Sequence, residues 1–257
     1  DTIDYFLSSA AIEPPDADAA YTETLIRLPR LPCCYAATSL PEERPSRTAL
    51  GLPATGRLYG CPQTLWKIHP EFDQVLADIA TGDPDGHIVM IEGHPPALTE
   101  LLCKRWSRTA PILLKRVRWL PRLDLTRFIS LLDHTDVLLD PIHFGSGNTL
   151  YEGMALGVPV VTWPGRFARG RIVAGAYQQM QIADAPIAAT IEDYAPLALS
   201  LGRDPARRGA LRQAMREAAT RELFSDMRAV RQIEDFLTAA VASASRREKL
   251  PPDWKTP

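Results

Sequence analysis

Residues 137–163, VLLDPIHFGSGNTLYEGMALGVPVVTW, contain the clearest pattern of secondary structure in the chain. This stretch begins with an apolar run that ends at Asp140, continues through a loop containing Gly145 and Gly147, and then enters a helix-like segment over 148–156. A second apolar run follows at 158–163. Two uncharged strands joined by a helix lie parallel, because the helix carries the chain back across the sheet. The stretch therefore predicts one β-loop-α-β unit of a parallel sheet.

The same alternation extends to both sides of this stretch. Apolar runs at 57–61, 87–92 and 117–120 predict three further strands, and a weaker run at 186–189 predicts a fourth. Segments at 70–81, 96–109, 123–134 and 168–180 have apolar residues at the three- and four-residue spacing of helices. A regular strand-helix alternation of this kind is typical of an α/β doubly wound parallel sheet. We therefore predict a Rossmann-like lobe.

The two ends of the chain have a different pattern. Segments 193–202, 205–222 and 225–245 predict C-terminal helices, and the last has an apolar face that needs a partner. Before residue 45 the sequence predicts a helix over 16–26 between two apolar runs at 3–7 and 33–37. Prolines and charges at 41–45 indicate a linker. We therefore divide the chain into an N-terminal segment at 1–45, a Rossmann-like lobe at 46–245 and a tail at 246–257.

Composition limits the classes of partner. The chain has 257 residues, 29 basic and 31 acidic side chains, and 46% hydrophobic residues. A formal charge of -2 provides no general attraction to nucleic acid or to a membrane surface, so we expect neither partner. The chain contains no long apolar run or signal-peptide pattern, so we expect a cytoplasmic location. Four cysteines without a CxxC pair predict reduced, mostly buried thiols.

The loop after Asp140 is the sharpest candidate for a binding site. Glycines let a ligand approach the backbone closely, and the first N–H groups of a helix attract phosphate. Gly147, Asn148 and Thr149 are placed to bind a diphosphate at such a helix start. Glu152, which we expect in the first helical turn, is placed to accept hydrogen bonds from ribose hydroxyls or, alternatively, only to complement the helix dipole.

Two further junctions offer cations. Lys67 and Gln63 follow the predicted strand at 57–61, where an ammonium group can reach an anion. Arg169, with Arg166 and Arg171, begins another predicted helix and is placed to assist diphosphate binding. The alternative is that all of these cations are simply exposed to solvent. The sequence has no HExxH or CxxC motif, so we predict no metal site. It also lacks the GxSxG motif of an α/β-hydrolase.

Three motifs together resemble the O-GlcNAc transferase and SPINDLY family of glycosyltransferases, especially its bacterial members. These motifs are CPQTLWKIHPEFD, TDVLLDPIHFGSGNTLYEGMALGVPVVTWPG and RGRIVAGAYQQM, and the resemblance covers roughly residues 4–245. It implies a GT-B fold with two Rossmann-like lobes, in which residues 46–245 are the C-terminal, donor-binding lobe and residues 1–45 are the end of the N-terminal, acceptor lobe with a linker. It also implies a UDP-sugar donor, which is a substrate, and no cofactor or metal.

The resemblance also implies roles for single residues. Lys67 matches the lysine that contacts the donor diphosphate, and we expect it to stabilise the leaving group. Gln63 lies near a glutamine of the family, and Leu123 falls in a stretch that recognises uracil. The resemblance implies further donor contacts at the phosphate-binding and ribose-binding positions, Gly147, Asn148, Thr149 and Glu152.

These observations predict a glycosyltransferase that transfers a sugar from a UDP-sugar to an acceptor, expected to be a protein or peptide, by an inverting, metal-independent mechanism. The resemblance implies that most of the acceptor lobe is absent from this sequence, which begins with Asp rather than Met, so we nominate no general base. We expect the isolated chain to bind nucleotide better than it transfers sugar. The alternatives are a non-catalytic nucleotide-sugar-binding or interaction module, and a GT-B sugar-nucleotide epimerase.

Overall fold

The computed structural model describes residues 2–37 and 39–256. The strands of this part are β1 Tyr5–Ser9, β2 Thr24–Leu28, β3 Leu58–Gly60, β4 His87–Ile91, β5 Val117–Leu120, β6 Val137–Leu139 and β7 Val160–Val161. Its α-helices are α1 Pro70–Gly82, α2 Ala97–Thr109, α3 Leu113–Arg116, α4 Leu125–His134, α5 Asn148–Leu156, α6 Ile172–Met180, α7 Tyr194–Arg203, α8 Pro205–Glu222 and α9 Met227–Ser245.

Five of the strands form one parallel sheet in the order β5-β4-β3-β6-β7. The chain begins in the middle at β3, moves outward through β4 and β5, and then returns to the other side of β3 for β6 and β7. The strand order therefore reverses between β3 and β6, which is the topological switch point of a doubly wound sheet. The predicted α/β doubly wound fold is confirmed.

Sequence-based expectations for the elements of this lobe agree closely with the structure. The segment predicted as a helix over 70–81 is α1, which starts with Pro70 at its first position and buries Phe72, Leu76 and Ile79 against the sheet. The weak strand expected at 186–189 is reduced to a single bridge between Ile187 and Thr162. The short helix α3 was not predicted, because four residues are too few for a periodic pattern.

The N-terminal segment differs from the prediction. The helix expected over 16–26 is wrong: a 3₁₀ turn at Ala17–Ala20 is followed by β2, which pairs in parallel with β1. The apolar run at 33–37 contributes only one bridge, between Tyr35 and Phe224. Strand formation prevails here because Ile26 and Leu28 are buried in a small separate core, so tertiary packing outweighs the local pattern.

That small core also covers part of α9. Phe236 of α9 is buried with Ile26 and Leu28, and its ring lies 5.4 Å from that of Tyr5 in an edge-to-face contact. The apolar face of α9 therefore finds a partner within the chain for Phe236 and Ile233, whereas Leu237 and Val241 remain exposed. Among the described residues, no helix, α9 included, is long and apolar enough to cross a membrane.

The four cysteines are all free thiols. Cys61 is buried and Cys103 is partly buried, whereas Cys33 and Cys34 are exposed. The expectation of mostly buried thiols is therefore wrong for this adjacent pair, which lies in an irregular segment outside both sheets.

Candidate functional site

An open cavity of about 690 Å³ lies beyond the carboxyl ends of four neighbouring strands. Its lining comes from the loops that follow β3, β4 and β5 and from the start of α5, which follows β6. Cavities in doubly wound sheets form where the strand order reverses, because the two loops there diverge to opposite faces of the sheet. The lining residues are Pro62, Gln63, Thr64, Leu65, Lys67, Ile91, Glu92, Gly93, His94, Leu98, Arg122, Phe128, Gly147, Asn148 and Thr149.

The loop after β6 is organised around the buried carboxyl group of Asp140. One carboxyl oxygen accepts a hydrogen bond of 2.6 Å from the backbone N–H of Ser146, and the other accepts one of 2.8 Å from the hydroxyl of Thr162. The hydroxyl of Tyr194 donates to the backbone carbonyl of Asp140 at 3.0 Å. Burial raises the pKa of Asp140 to about 6, although the hydrogen bonds from Thr162 and Ser146 oppose this rise. Asp140 therefore fixes the path of the loop toward α5.

Lys67 lies against this loop rather than in solvent. Its ammonium group donates hydrogen bonds to the carbonyl of Gly145 at 2.9 Å and to the side-chain oxygen of Gln63 at 3.1 Å. Gln63 is buried, and its amide group donates to the hydroxyl of Ser146 at 3.0 Å. Burial lowers the pKa of Lys67, and attraction to Asp140 partly opposes this effect. The half-buried cation is thus held at the rim of the cavity.

The start of α5 presents backbone N–H groups to the same cavity. Gly147 is the N-cap residue, no side chain caps the helix, and Gly147, Asn148 and Thr149 all line the cavity. The first N–H groups of a helix have no acceptor within the helix. A Cβ atom added to Gly147 would meet no other atom within 4 Å, so its backbone is open to a ligand. These N–H groups and the Lys67 ammonium can therefore meet one anion together.

Three predicted donor-binding residues do not line this cavity. Glu152 lies in the second turn of α5 rather than in the first as expected, and burial raises the pKa of its carboxyl group. The Leu123 side chain packs against the buried cluster beside β5. Arg169 contributes its backbone carbonyl, which accepts a hydrogen bond of 2.9 Å from the N–H of Gly145, but its side chain faces elsewhere.

The arginine cluster faces a second, smaller cavity of about 380 Å³. Arg166 and Arg169 line it together with Phe6 and Tyr21 of the N-terminal segment. Arg171 is bound elsewhere, because its guanidinium group donates hydrogen bonds to the backbone carbonyls of Pro164 and Gly165. The cluster therefore belongs to the contact between lobe and N-terminal segment, and within the described residues its side chains do not line the larger cavity.

Sequence reasoning did not identify every residue at the cavity. The lining also includes Glu92 and His94, which follow β4, and the exposed Arg122, which follows β5. Only their positions at the ends of predicted strands could have indicated them. A separate group that could hold a metal ion, formed by His69, Glu71 and His143, lies outside the lining. It was missed because two distant segments supply its members. The expectation of no cofactor and no metal stays a prediction.

The sheet order and the cavity at its switch point define one lobe of the GT-B glycosyltransferase type. No protein-family model matches the chain. The chain is 26% identical over 234 residues to the "Probable UDP-N-acetylglucosamine--peptide N-acetylglucosaminyltransferase SPINDLY" of Solanum lycopersicum. This match covers 88% of the chain but only 24% of the relative, so the chain spans about a quarter of that relative's length.

Solved structures agree with this similarity. The "Thermobaculum terrenum O-GlcNAc transferase mutant - K341M" is 27% identical with a TM-score of 0.71, over 95% of this chain and 44% of that chain. The fold alone is shared with Anabaena Alr3699/HepE in complex with UDP and glucose, at 18% identity and a TM-score of 0.54, over 75% of this chain and 51% of that chain. The predicted resemblance to the O-GlcNAc transferase and SPINDLY family is confirmed.

Proposed function

We propose that the chain is the donor-binding lobe of a metal-independent, inverting glycosyltransferase that uses a UDP-sugar. The observation that carries this proposal is that Lys67 and the start of α5, which no side chain caps, line the same cavity at the switch point of the sheet. The relatives named above as glycosyltransferases, and the one solved with UDP, support it. The residue roles that follow are part of the proposal.

The diphosphate of the donor lies on the N–H groups of Gly147, Asn148 and Thr149. Lys67 exchanges its bond to the Gly145 carbonyl for a phosphate oxygen, because a half-buried ammonium gains more from an anion than from a neutral carbonyl. An acceptor hydroxyl or amide attacks the anomeric carbon, the bond from that carbon to the phosphate oxygen breaks, and UDP leaves with the electron pair. Lys67 and the helix start stabilise this charge, so transfer needs no metal.

The other residues expected at the donor site take supporting roles in this proposal. We propose that the backbone near Leu123 contacts uracil and that Glu152 reaches the ribose after the nucleotide binds. Gln63 holds Lys67 and the loop in place through Ser146. Arg169 acts on the diphosphate only through the Gly145 backbone.

The acceptor and its base lie on a second lobe in this proposal. SPINDLY is named as a peptide N-acetylglucosaminyltransferase, and we propose a protein or peptide acceptor here as well. The acceptor proton then passes to a base on that lobe, and residues 1–45 are its end together with a linker. A cytoplasmic location stays a prediction.

Isothermal titration with UDP, UDP-GlcNAc, UDP-glucose and NAD tests the donor class. We expect UDP and at least one UDP-sugar to bind, and the Lys67→Ala variant to bind UDP roughly 10- to 150-fold more weakly, the loss of one charge-assisted hydrogen bond. Lys115→Ala is the matched control, because Lys115 is exposed on α3 away from the cavity, and its affinity should not change.

The same titrations separate the alternatives. Binding of NAD without UDP, or equal UDP affinity in both lysine variants, would contradict the proposal. An epimerase would convert the UDP-sugar to its epimer without an acceptor, which incubation of the chain with the UDP-sugar alone would detect. A binding module would show donor affinity but no transfer after addition of the second lobe, which is the outcome that distinguishes it from a transferase.

A further inference from the structure

Three metal-ligating side chains converge at the first turn of α1. Nε2 of His143 lies 2.6 Å from a carboxylate oxygen of Glu71, and Nδ1 of His69 lies 3.7 Å from the same oxygen. The two imidazole rings are 4.6 Å apart at 83°. The three ligand atoms all lie within 4.8 Å of one another, which is the space that one ion occupies.

We propose that His69, Glu71 and His143 form a binding site for a divalent transition metal of the zinc class. Two imidazole nitrogens and one carboxylate oxygen are the donor set of zinc sites that keep a fourth position open to water, whereas magnesium and calcium prefer oxygen ligands. Tetrahedral zinc holds its ligand atoms roughly 3.3 Å apart, given bond lengths of about 2.0–2.2 Å. The observed separations of 2.6 and 3.7 Å lie on either side of that value.

The hydrogen bonds at the site are ones that an ion can replace. Nε2 of His143 shares a proton with the Glu71 carboxylate across 2.6 Å, and this proton is released to solvent when the ion binds. Nδ1 of His69 accepts the backbone N–H of Glu71 at 3.3 Å, which places a lone pair rather than a proton on that nitrogen. This contact is long and weak, so an ion can replace it. All three side chains are partly exposed, and an ion can enter from solvent.

The site would connect two segments that matter for the larger cavity. His69 and Glu71 begin α1, and His143 belongs to the loop that carries Gly145, the residue whose carbonyl holds Lys67. A bound ion therefore fixes this loop against α1. None of the three ligands lines the larger cavity, so the site is separate from the donor-binding residues and does not depend on their role.

Calorimetric titration of Zn²⁺ into the untagged, chelator-treated chain tests the site. We expect one saturable ion per chain and at least tenfold weaker binding in each of the variants His69→Gln, Glu71→Gln and His143→Gln. His134→Gln is the matched control, because His134 lies on α4 and bonds to the Pro45 carbonyl, and it should bind zinc as the parent chain does. Mg²⁺ should give no saturable binding.

A second measurement needs no substitution at the site. In nitrogen NMR of the parent chain, zinc should shift the imidazole signals of two of the five histidines and leave the other three in place. Absence of saturable zinc binding would overturn the proposal, and so would full affinity in all three ligand variants. Binding that instead disappears in a Cys33→Ser, Cys34→Ser double variant would place the ion on the exposed thiols and would also overturn it.

Discussion

The buried carboxyl group of Asp140 makes a strong test of how the loop after β6 is held. Replacement by Asn preserves the size of the side chain and both of its hydrogen-bonding positions. The amide oxygen can accept the N–H of Ser146, and the amide nitrogen can donate to the hydroxyl of Thr162, which rotates to accept. The Asp140→Asn variant therefore removes the titration of this group while keeping its contacts.

The magnitude follows from the difference in pKa between the folded and unfolded states. Burial raises the pKa of Asp140 to about 6 in the folded state, against an ordinary value of 3.8. Between these values the native state holds a proton that the unfolded state has lost, so the free energy of unfolding falls as pH rises from about 4 to 6. A difference of about two pKa units corresponds to about 3 kcal/mol, and the group is fully buried, so solvent does not screen it.

Urea unfolding at several pH values between 4 and 7.5 measures this effect. The stability of Asp140→Asn relative to the parent chain should increase by about 3 kcal/mol across pH 4 to 7 and then become constant. Asp83→Asn is the control. The hydrogen bond from Arg57 holds the pKa of Asp83 at about 2, so this carboxylate is ionised in both states above pH 5 and its variant should lose the same stability at pH 5 and at pH 7.

A constant difference between Asp140→Asn and the parent chain over the whole range would refute the reasoning. It would mean that the hydrogen bonds to Ser146 and Thr162 and the nearby Lys67 keep Asp140 ionised despite its burial.

Three further predictions concern packing and binding. In Gly145→Ala the new Cβ would lie 2.9 Å from the Asp140 carboxylate, so the free energy of unfolding measured in urea should fall by about 1–3 kcal/mol. The control is Gly209→Ala, at an open position on α8, which should gain about 0.5–1 kcal/mol. Phe236→Ala should cost about 3–5 kcal/mol and the exposed neighbour Leu237→Ala less than about 0.5, so equal losses would contradict the packing of α9 on β1 and β2. The isolated chain should bind UDP in calorimetry but should not transfer a sugar from a UDP-sugar to a peptide acceptor. Robust transfer by this chain would contradict the need for a second lobe.

The elements of the central lobe were predictable because local signals there agree with the tertiary fold. Strands buried on both faces of a parallel sheet are continuous apolar runs, and each is bounded by Gly, Pro or Asp. The local pattern gave the wrong prediction at residues 16–26, where it indicated a helix. A strand forms instead, because Ile26 and Leu28 are buried against α9. The partner there lies some 200 residues away, so no local window contains it.

The candidate site was predictable in part for a similar reason. Lys67, Gln63 and the start of α5 follow predicted strands, and the carboxyl ends of parallel strands meet at one edge. The direction of a side chain was not predictable from its position in the sequence. For this reason Glu152, Leu123 and Arg169 were expected at the site, although none of them lines the cavity. The role of Asp140 was missed because a carboxylate at a strand end does not reveal which N–H groups will fold back onto it.

Apolar periodicity and the positions of glycine and proline are local properties of the chain, so the doubly wound lobe, the glycine loop at a helix start and a nearby lysine follow from the sequence alone. The half-burial of Lys67 against Gly145, the packing of α9 on β1 and β2, and the approach of His143 to His69 and Glu71 follow only from the folded structure. These contacts join segments far apart in sequence, and the packing of the whole chain sets their distances, burial and charge.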